Sequence, residues 1–279
     1  MQAKVTDIET LAGTLDDATR AASAVPQLTT GAPLTVDEAY AVQAAGIALR
    51  AGRGDTQVGL KLGFTSKAKA EQMGVHDVIV GVITSSMAIP DGGEAELGRY
   101  VHPRIEPEVA FRLGTAIDPS DPECDVHAAT TDVAPALEII DSRYRDFTFS
   151  LADVIADNTS AAAFVIGPWR PYRKSDDLRD RAVTLAFDGD AVGQGSTADI
   201  LGDPTRALDD IVRMAREHGL TLPAGSIILA GAATAAAALT PATTVTARVA
   251  GLGEVSVRTA GVEMQAVARE PAPSTEESR

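Results

Sequence analysis

The chain has 279 residues, 45% hydrophobic and 23% charged, a globular balance with room for one main core and a smaller lobe. Its formal net charge of −15 makes polyanions poor partners, which argues against nucleic acid and against an anionic membrane surface. The single Cys124 cannot form an internal disulfide and falls in the polar run Asp118 to His127, read as a surface loop.

The N-terminus carries acids throughout and lacks the apolar run of a signal peptide, so a cytoplasmic protein is expected. Val5 to Ala24 and Val36 to Arg50 show helical spacing, the second opened by a Thr35/Glu38 capping box; together they predict a helical N-terminal lobe over residues 1–55. From Gln57 the pattern turns to short alternating runs at Gln57 to Thr65, Arg104 to Leu113, Ala134 to Ile140 and Ala161 to Ile166. Residues 56–268 are therefore read as a β-rich body. Hairpins are expected at Ala182 to Gln194 and Val245 to Thr259, with a helix between them that Asp203 caps, Pro204 enters and Gly219 ends. The Ala-rich stretch Ile227 to Leu239 is short of the roughly 20 residues that cross a bilayer and reads as buried core. Residues 269–279 read as a disordered, solvated tail.

In Arg104-Ile105-Glu106-Pro107-Glu108-Val109-Ala110-Phe111, strand alternation projects Glu106 and Glu108 from one face and Ile105, Val109 and Phe111 from the other. Neighbouring carboxylates raise each other's cost of ionisation unless a cation or proton sits between them, although an isolated Glu-x-Glu equally suits a solvated face. Pro107 cannot donate to a ladder and predicts a sheet edge or a bulge. Glu138 lies inside the apolar run Val133 to Ile140, where an unpaired charge is costly, so it needs a partner. Oxygen-only donors suit Mg²⁺, Mn²⁺ or Ca²⁺, whereas the histidines that zinc would draw on are scattered at His76, His102, His127 and His218. In Val58 to Thr65 the residues Val58, Leu60, Leu62 and Phe64 form one apolar face. Lys61 is left on the other, between Gly59 and Gly63, either as the amine of a pocket or as an exposed strand lysine. Asp141 to Tyr144 and Asp157 to Ser160 gather polar groups that suit substrate contacts, turns or caps. The run Ala230 to Thr234 could bring backbone N–H groups to an anion but matches no phosphate loop or dinucleotide fingerprint, so no nucleotide cofactor is implied.

Four ordered motifs carry a resemblance: Gly59-Leu60-Lys61-Leu62-Gly63-Phe64-Thr65-Ser66, His102-Pro103-Arg104-Ile105-Glu106-Pro107-Glu108, Leu137-Glu138-Ile139-Ile140-Asp141-Ser142-Arg143 and Ala156-Asp157-Asn158-Thr159-Ser160. From Val36 to Val257 the chain resembles the hydratase and decarboxylase family of the catechol meta-cleavage pathway, related to the fumarylacetoacetate hydrolases. The resemblance implies an α+β, β-rich fold, a mixed β-sandwich roll with a helical N-terminal lobe. It implies Glu106, Glu108 and Glu138 as ligands of Mg²⁺, with Mn²⁺ as the alternative, Lys61 as the active-site lysine and Ser160 as a substrate contact.

Within the family, the segments Phe64 to Lys69, Met73 to Val75, Arg99 to Arg104 and Ser142 to Phe147 look like the decarboxylase branch. Hydratases of the family carry an acid–base aspartate where this chain has Ile79. The implied reaction is Mg²⁺-dependent loss of CO₂ from 2-oxohex-3-enedioate to give 2-hydroxypenta-2,4-dienoate. The alternative is hydration of that dienoate. A third reading, a non-catalytic subunit that stabilises a hydratase, is opposed by the retained glutamates and Lys61. Implied partners are a 2-oxo dicarboxylate, the pathway hydratase and further copies of the chain.

Overall fold

The computed structural model describes residues 7–66 and 77–261. The segment Lys67 to His76, which carries part of the decarboxylase-like pattern, and the expected tail at 269–279 lie outside the described residues. Val5, the expected start of the first helix, lies outside them too.

Two helices come first. Helix α1 (Ile8–Ala21) is capped by Asp7, whose side chain accepts from the Thr10 N–H. Helix α2 (Val36–Ala51) opens on the expected capping box of Thr35 and Glu38. The strands that follow are β1 (Gln57–Gly63), β2 (Ile79–Thr84), β3 (Ala88–Ile89), β4 (Glu94–Ala95) and β5 (Arg104–Leu113). After the one-turn helix α3 (Val126–Ala129) come β6 (Thr130–Ile140), helix α4 (Leu151–Ala156), β7 (Ala161–Ile166), β8 (Arg170–Pro171), β9 (Ala182–Phe187) and β10 (Asp190–Ser196). Helix α5 (Arg206–His218) precedes β11 (Ile227–Ala232), β12 (Ala237–Ala238), β13 (Thr244–Val249) and β14 (Gly253–Thr259).

The strands form a nine-stranded mixed sheet with the path β2-β1-β11-β5-β6-β7-β3, and a five-stranded sheet ordered β10-β9-β13-β14-β4. Ile105, Leu137 and Ile139 of the large sheet pack with Leu185, Val245, Ala247, Val255 and Val257 of the small one, which gives the sandwich its core. Leu60, Leu62, Val109 and Phe111 instead join the larger core that includes Ile211 and Met214 of α5 and buried residues of α1, α2 and α4. The opposite, inner face of the large sheet carries a small cluster of Ala110, Ala136, Phe164, Leu229, Ile83 and Met87. Contacts between β2 and β7, distant along the path, show that this face curls on itself.

Both expected hairpins form, β9–β10 and β13–β14. Other details differ from the sequence reading. Helix α5 starts at Arg206, because the Asp203 carboxylate turns back onto the Thr205 N–H and hydroxyl and closes a separate turn before the helix. Gly219, left-handed at φ 67°, ends it as expected. Burial of the Ala-rich stretch is interrupted after Ala233, where Ala235 and Ala238 reach the surface, and resumes at Leu239. Cys124 lies in a loop, half-buried against the main core. Among the described residues no helix is long and apolar enough to cross a membrane.

Candidate metal centre

Strand register builds the site. In the antiparallel β5–β6 pair Glu106 stands directly opposite Glu138, and Glu108 stands opposite Ala136. Opposed residues share a face and Glu106 and Glu108 alternate onto the same one, so all three carboxylates project into the curled sheet. One oxygen from each lies within 4.8 Å of the others. Glu106 is 6% exposed, and Glu108 and Glu138 are fully buried.

Pro107 lies in an interior strand, not at an edge. The irregularity it demands is in the neighbour: β11 bulges between Leu229 and Ala232, and the Ala233 N–H then donates to the Pro107 carbonyl at 2.9 Å. Within that bulge Gly231, at φ 111°, turns its N–H to Oε2 of Glu108 at 2.8 Å. The small-residue run thus does present an N–H to an anion, and that anion is the protein's own carboxylate. A Cβ at Gly231 would lie 2.1 Å from the Thr65 hydroxyl, so only glycine fits.

Lys61 is 2% exposed and enters from β1, its ammonium 3.1 Å from Oε2 of Glu138 and donating to the Thr159 carbonyl at 3.2 Å. The flanking glycines do not open its pocket: a Cβ at Gly59 would strike the Ile227 carbonyl, and one at Gly63 would strike Thr159 and Ile79. The space belongs to Gly81, paired with Lys61 across β1–β2, where a Cβ would sit 3.1 Å from the lysine Cδ. Val58 leaves the Leu60/Leu62 face because β1 is irregular between Gln57 and Gly59. Ile79, opposite Gly63, is buried on the Lys61 side of the pair.

Burial raises the Glu108 pKa well above the carboxylate range, and the charge of Glu138 raises it further. Burial also raises Glu138, against the opposing pull of Lys61. Burial alone would lower Lys61, but Glu138, Glu108 and Glu106 outweigh it and hold the amine above its ordinary value. The three carboxyl groups lie together in a buried place, and the Lys61 ammonium meets Glu138 there. Among the described residues, Oε1 of Glu108 and Oε1 of Glu138 meet no hydrogen-bond donor. Convergent oxygen-only donors, with open oxygens on Glu108 and Glu138, fit a hard divalent cation.

Ser160 closes a turn in which Asn158, Thr159 and Ser160 are successively left-handed, at φ 50°, 53° and 57°. Such residues cost on the order of 1–3 kcal/mol each and persist only when the surroundings over-determine them. Here Asn158 pairs its amide with the N–H and carbonyl of Val82, Thr159 donates to the Val80 carbonyl, and the Ser160 carbonyl accepts from the Asp141 N–H. The buried Arg143 guanidinium grips both the carboxylate and the carbonyl of Asp157. The Ser160 hydroxyl is buried without a partner among the described residues. The sequence marks Arg143 and Asp157 as suited to substrate contacts, turns or caps and does not give their pairing; its one signal is an opposite charge in each of two polar segments that border apolar runs.

A model of the fumarylacetoacetate (FAA) hydrolase C-terminal family matches residues 51–259. The chain is 50% identical to a 4-oxalocrotonate decarboxylase of a Pseudomonas species, over 91% of this chain and 98% of that one. It is 35% identical to a 2-hydroxyhexa-2,4-dienoate hydratase of Comamonas testosteroni, over 80% of this chain and 86% of the relative. A solved 4-oxalocrotonate decarboxylase from Pseudomonas putida, complexed with magnesium and adipate, superposes with a TM-score of 0.86 at 34% identity, covering 92% of this chain and all of that one. These likenesses agree with the expected α+β roll.

Proposed function

The chain belongs to the fumarylacetoacetate hydrolase family, and from that premise we propose that it is a Mg²⁺-dependent carboxy-lyase that converts 2-oxohex-3-enedioate into 2-hydroxypenta-2,4-dienoate and CO₂. The observation that carries this reading is the buried, oxygen-only cluster of Glu106, Glu108 and Glu138, in which one oxygen each of Glu108 and Glu138 meets no donor among the described residues and a lysine stands at its side. The three glutamates would hold the cation. When bound it supplies Lewis acidity to the carboxylate and keto oxygen of a 2-oxo acid.

The protein's own groups define the rest. Lys61, its ammonium set against Glu138, serves as a charge partner and proton holder. Its tether to the Thr159 carbonyl fixes the ammonium against Glu138. Loss of CO₂ from the far end of the conjugated acid leaves an electron pair that runs to the keto oxygen, and one proton completes the enol. Ile79 on the Lys61 side offers no group for activating water, which favours CO₂ loss over hydration. Ser160, whose buried hydroxyl meets no partner among the described residues, is the substrate-contact candidate. A lobe boundary near residue 55, a cytoplasmic location, self-association and association with a hydratase belong to the same proposal; the family match beginning at residue 51 supports the boundary.

The test is product analysis with 2-oxohex-3-enedioate and Mg²⁺: CO₂ and the dienoate are expected, and Glu106→Gln abolishes both while the circular dichroism stays native. Undiminished turnover after chelation, or a 4-hydroxy-2-oxo acid formed from the dienoate without gas release, overturns the reading.

A further inference from the structure

The proposed substrate has two carboxylates, and the centre described above accounts for one. Lys61 is already committed to Glu138 and the Thr159 carbonyl. The second carboxylate therefore needs another cation, in a protein whose net charge of −15 makes an available one scarce.

Strand alternation along β5 places Arg104, Glu106, Glu108, Ala110 and Arg112 on one face. The two arginines at its ends share one feature and differ in another. Each guanidinium lies over an aromatic ring, Arg104 at 4.4 Å from the Phe147 centroid and Arg112 at 4.7 Å from that of Trp169. Arg112 is neutralised by Asp132, its cross-strand partner, at 2.8 Å. The cross-strand partners of Arg104 are Ile140 and Ala238, neither of them charged, and among the described residues Arg104 has no ion pair and no side-chain hydrogen bond. It is exposed where the next seven residues of the strand are buried, so it stands at the mouth of the face that leads to Glu106.

Resting on the proposed 2-oxo dicarboxylate reading, we propose that Arg104, braced on Phe147, binds the second carboxylate of the substrate and sets the preference for a diacid. The spacing suits it. Two residues of strand advance roughly 6.7 Å, and with C–C bonds of about 1.5 Å the far carboxyl carbon of a six-carbon acid lies roughly 5 Å beyond its keto carbon. A guanidinium matches a carboxylate through two parallel hydrogen bonds, and a ring beneath it limits the planes it can take. Phe147 is itself held in place, left-handed at φ 55° after a left-handed Asp146 and packed edge-on against His102. Because the contact is made before the carboxylate departs, it contributes to binding and KM more than to kcat.

Two saturated analogues isolate this contact by calorimetry with Mg²⁺ present: 2-oxohexanedioate and 2-oxohexanoate, which differ only in the far carboxylate. The wild type is expected to prefer the diacid by about tenfold to a hundredfold. Arg104→Gln should reduce that preference to near unity with 2-oxohexanoate binding unchanged, and Arg104→Lys should restore part of it. An undiminished preference in Arg104→Gln, or equal weakening of both analogues, overturns the assignment of Arg104 alone. If the wild type binds neither analogue, the 2-oxo acid reading falls and this inference with it.

Discussion

Two clusters of buried charge meet at the turn Asp157 to Ser160, and they are built in opposite ways. Around Glu138, the carboxyl groups of Glu106 and Glu108 gather beside the Lys61 ammonium, and one oxygen each of Glu108 and Glu138 lacks a donor among the described residues. Around Asp157, one guanidinium faces one carboxylate, and Arg143 donates to Asp157 through its backbone N–H as well as its side chain. The second cluster is balanced and closed, so it serves as scaffold. The first leaves acceptors open, and buried carboxylate oxygens without donors are tolerable only where a ligand completes them. The closed pair also orders the open one, since it anchors the strained turn whose Thr159 carbonyl receives Lys61.

The sharpest way to break this comparison is to remove one partner of the closed pair. Arg143→Leu leaves Asp157 buried without its counter-charge and should cost about 3–5 kcal/mol in urea unfolding. A midpoint equal to that of the wild type would show that the pair is not scaffold. The open cluster should respond in the other direction. Glu108→Gln keeps an acceptor for the Gly231 N–H while removing repulsion, so metal-free stability should hold or rise. The variant should also lose the stabilisation by Mg²⁺, which in the wild type should reach about 2.7 kcal/mol at a hundredfold excess over Kd. An intact Mg²⁺-dependent shift in Tm would remove Glu108 from the proposed ligand set.

The smallest effect concerns pH. Burial pushes the Asp157 carboxyl up to about 6 despite Arg143. A carboxyl raised on folding binds its proton more tightly in the native state, so its contribution is present near pH 4 and is lost as pH rises through about 6. The stability of the wild type relative to Asp157→Asn should therefore increase as pH falls from 7 to 5. A difference that is flat or decreases over that window would contradict the raised value.

The carboxylate pair was legible in the sequence because strand alternation depends only on local backbone geometry, and Glu138 stood out as a charge inside an apolar run. The two hairpins and the capping box at Thr35 were legible for the same local reason. Pro107 was read half correctly: it predicted an irregularity, but whether that lies in its own strand or in the neighbour depends on which strand pairs there. The glycines beside Lys61 misled, because the space around a side chain is set by the facing strand, where Gly81 supplies it.

Residue chemistry and local periodicity thus settled what kinds of group this protein brings to its site, and on which strand faces they lie. Register and sheet curvature decided which of them meet: Glu106 against Glu138, Lys61 reaching Glu138 from a distant strand, Arg143 closing on Asp157, and Arg104 opposite an isoleucine. A strand's alternation follows from its own dihedrals. Its partners follow from burying the whole apolar surface at once, and that balance is not written in any single segment.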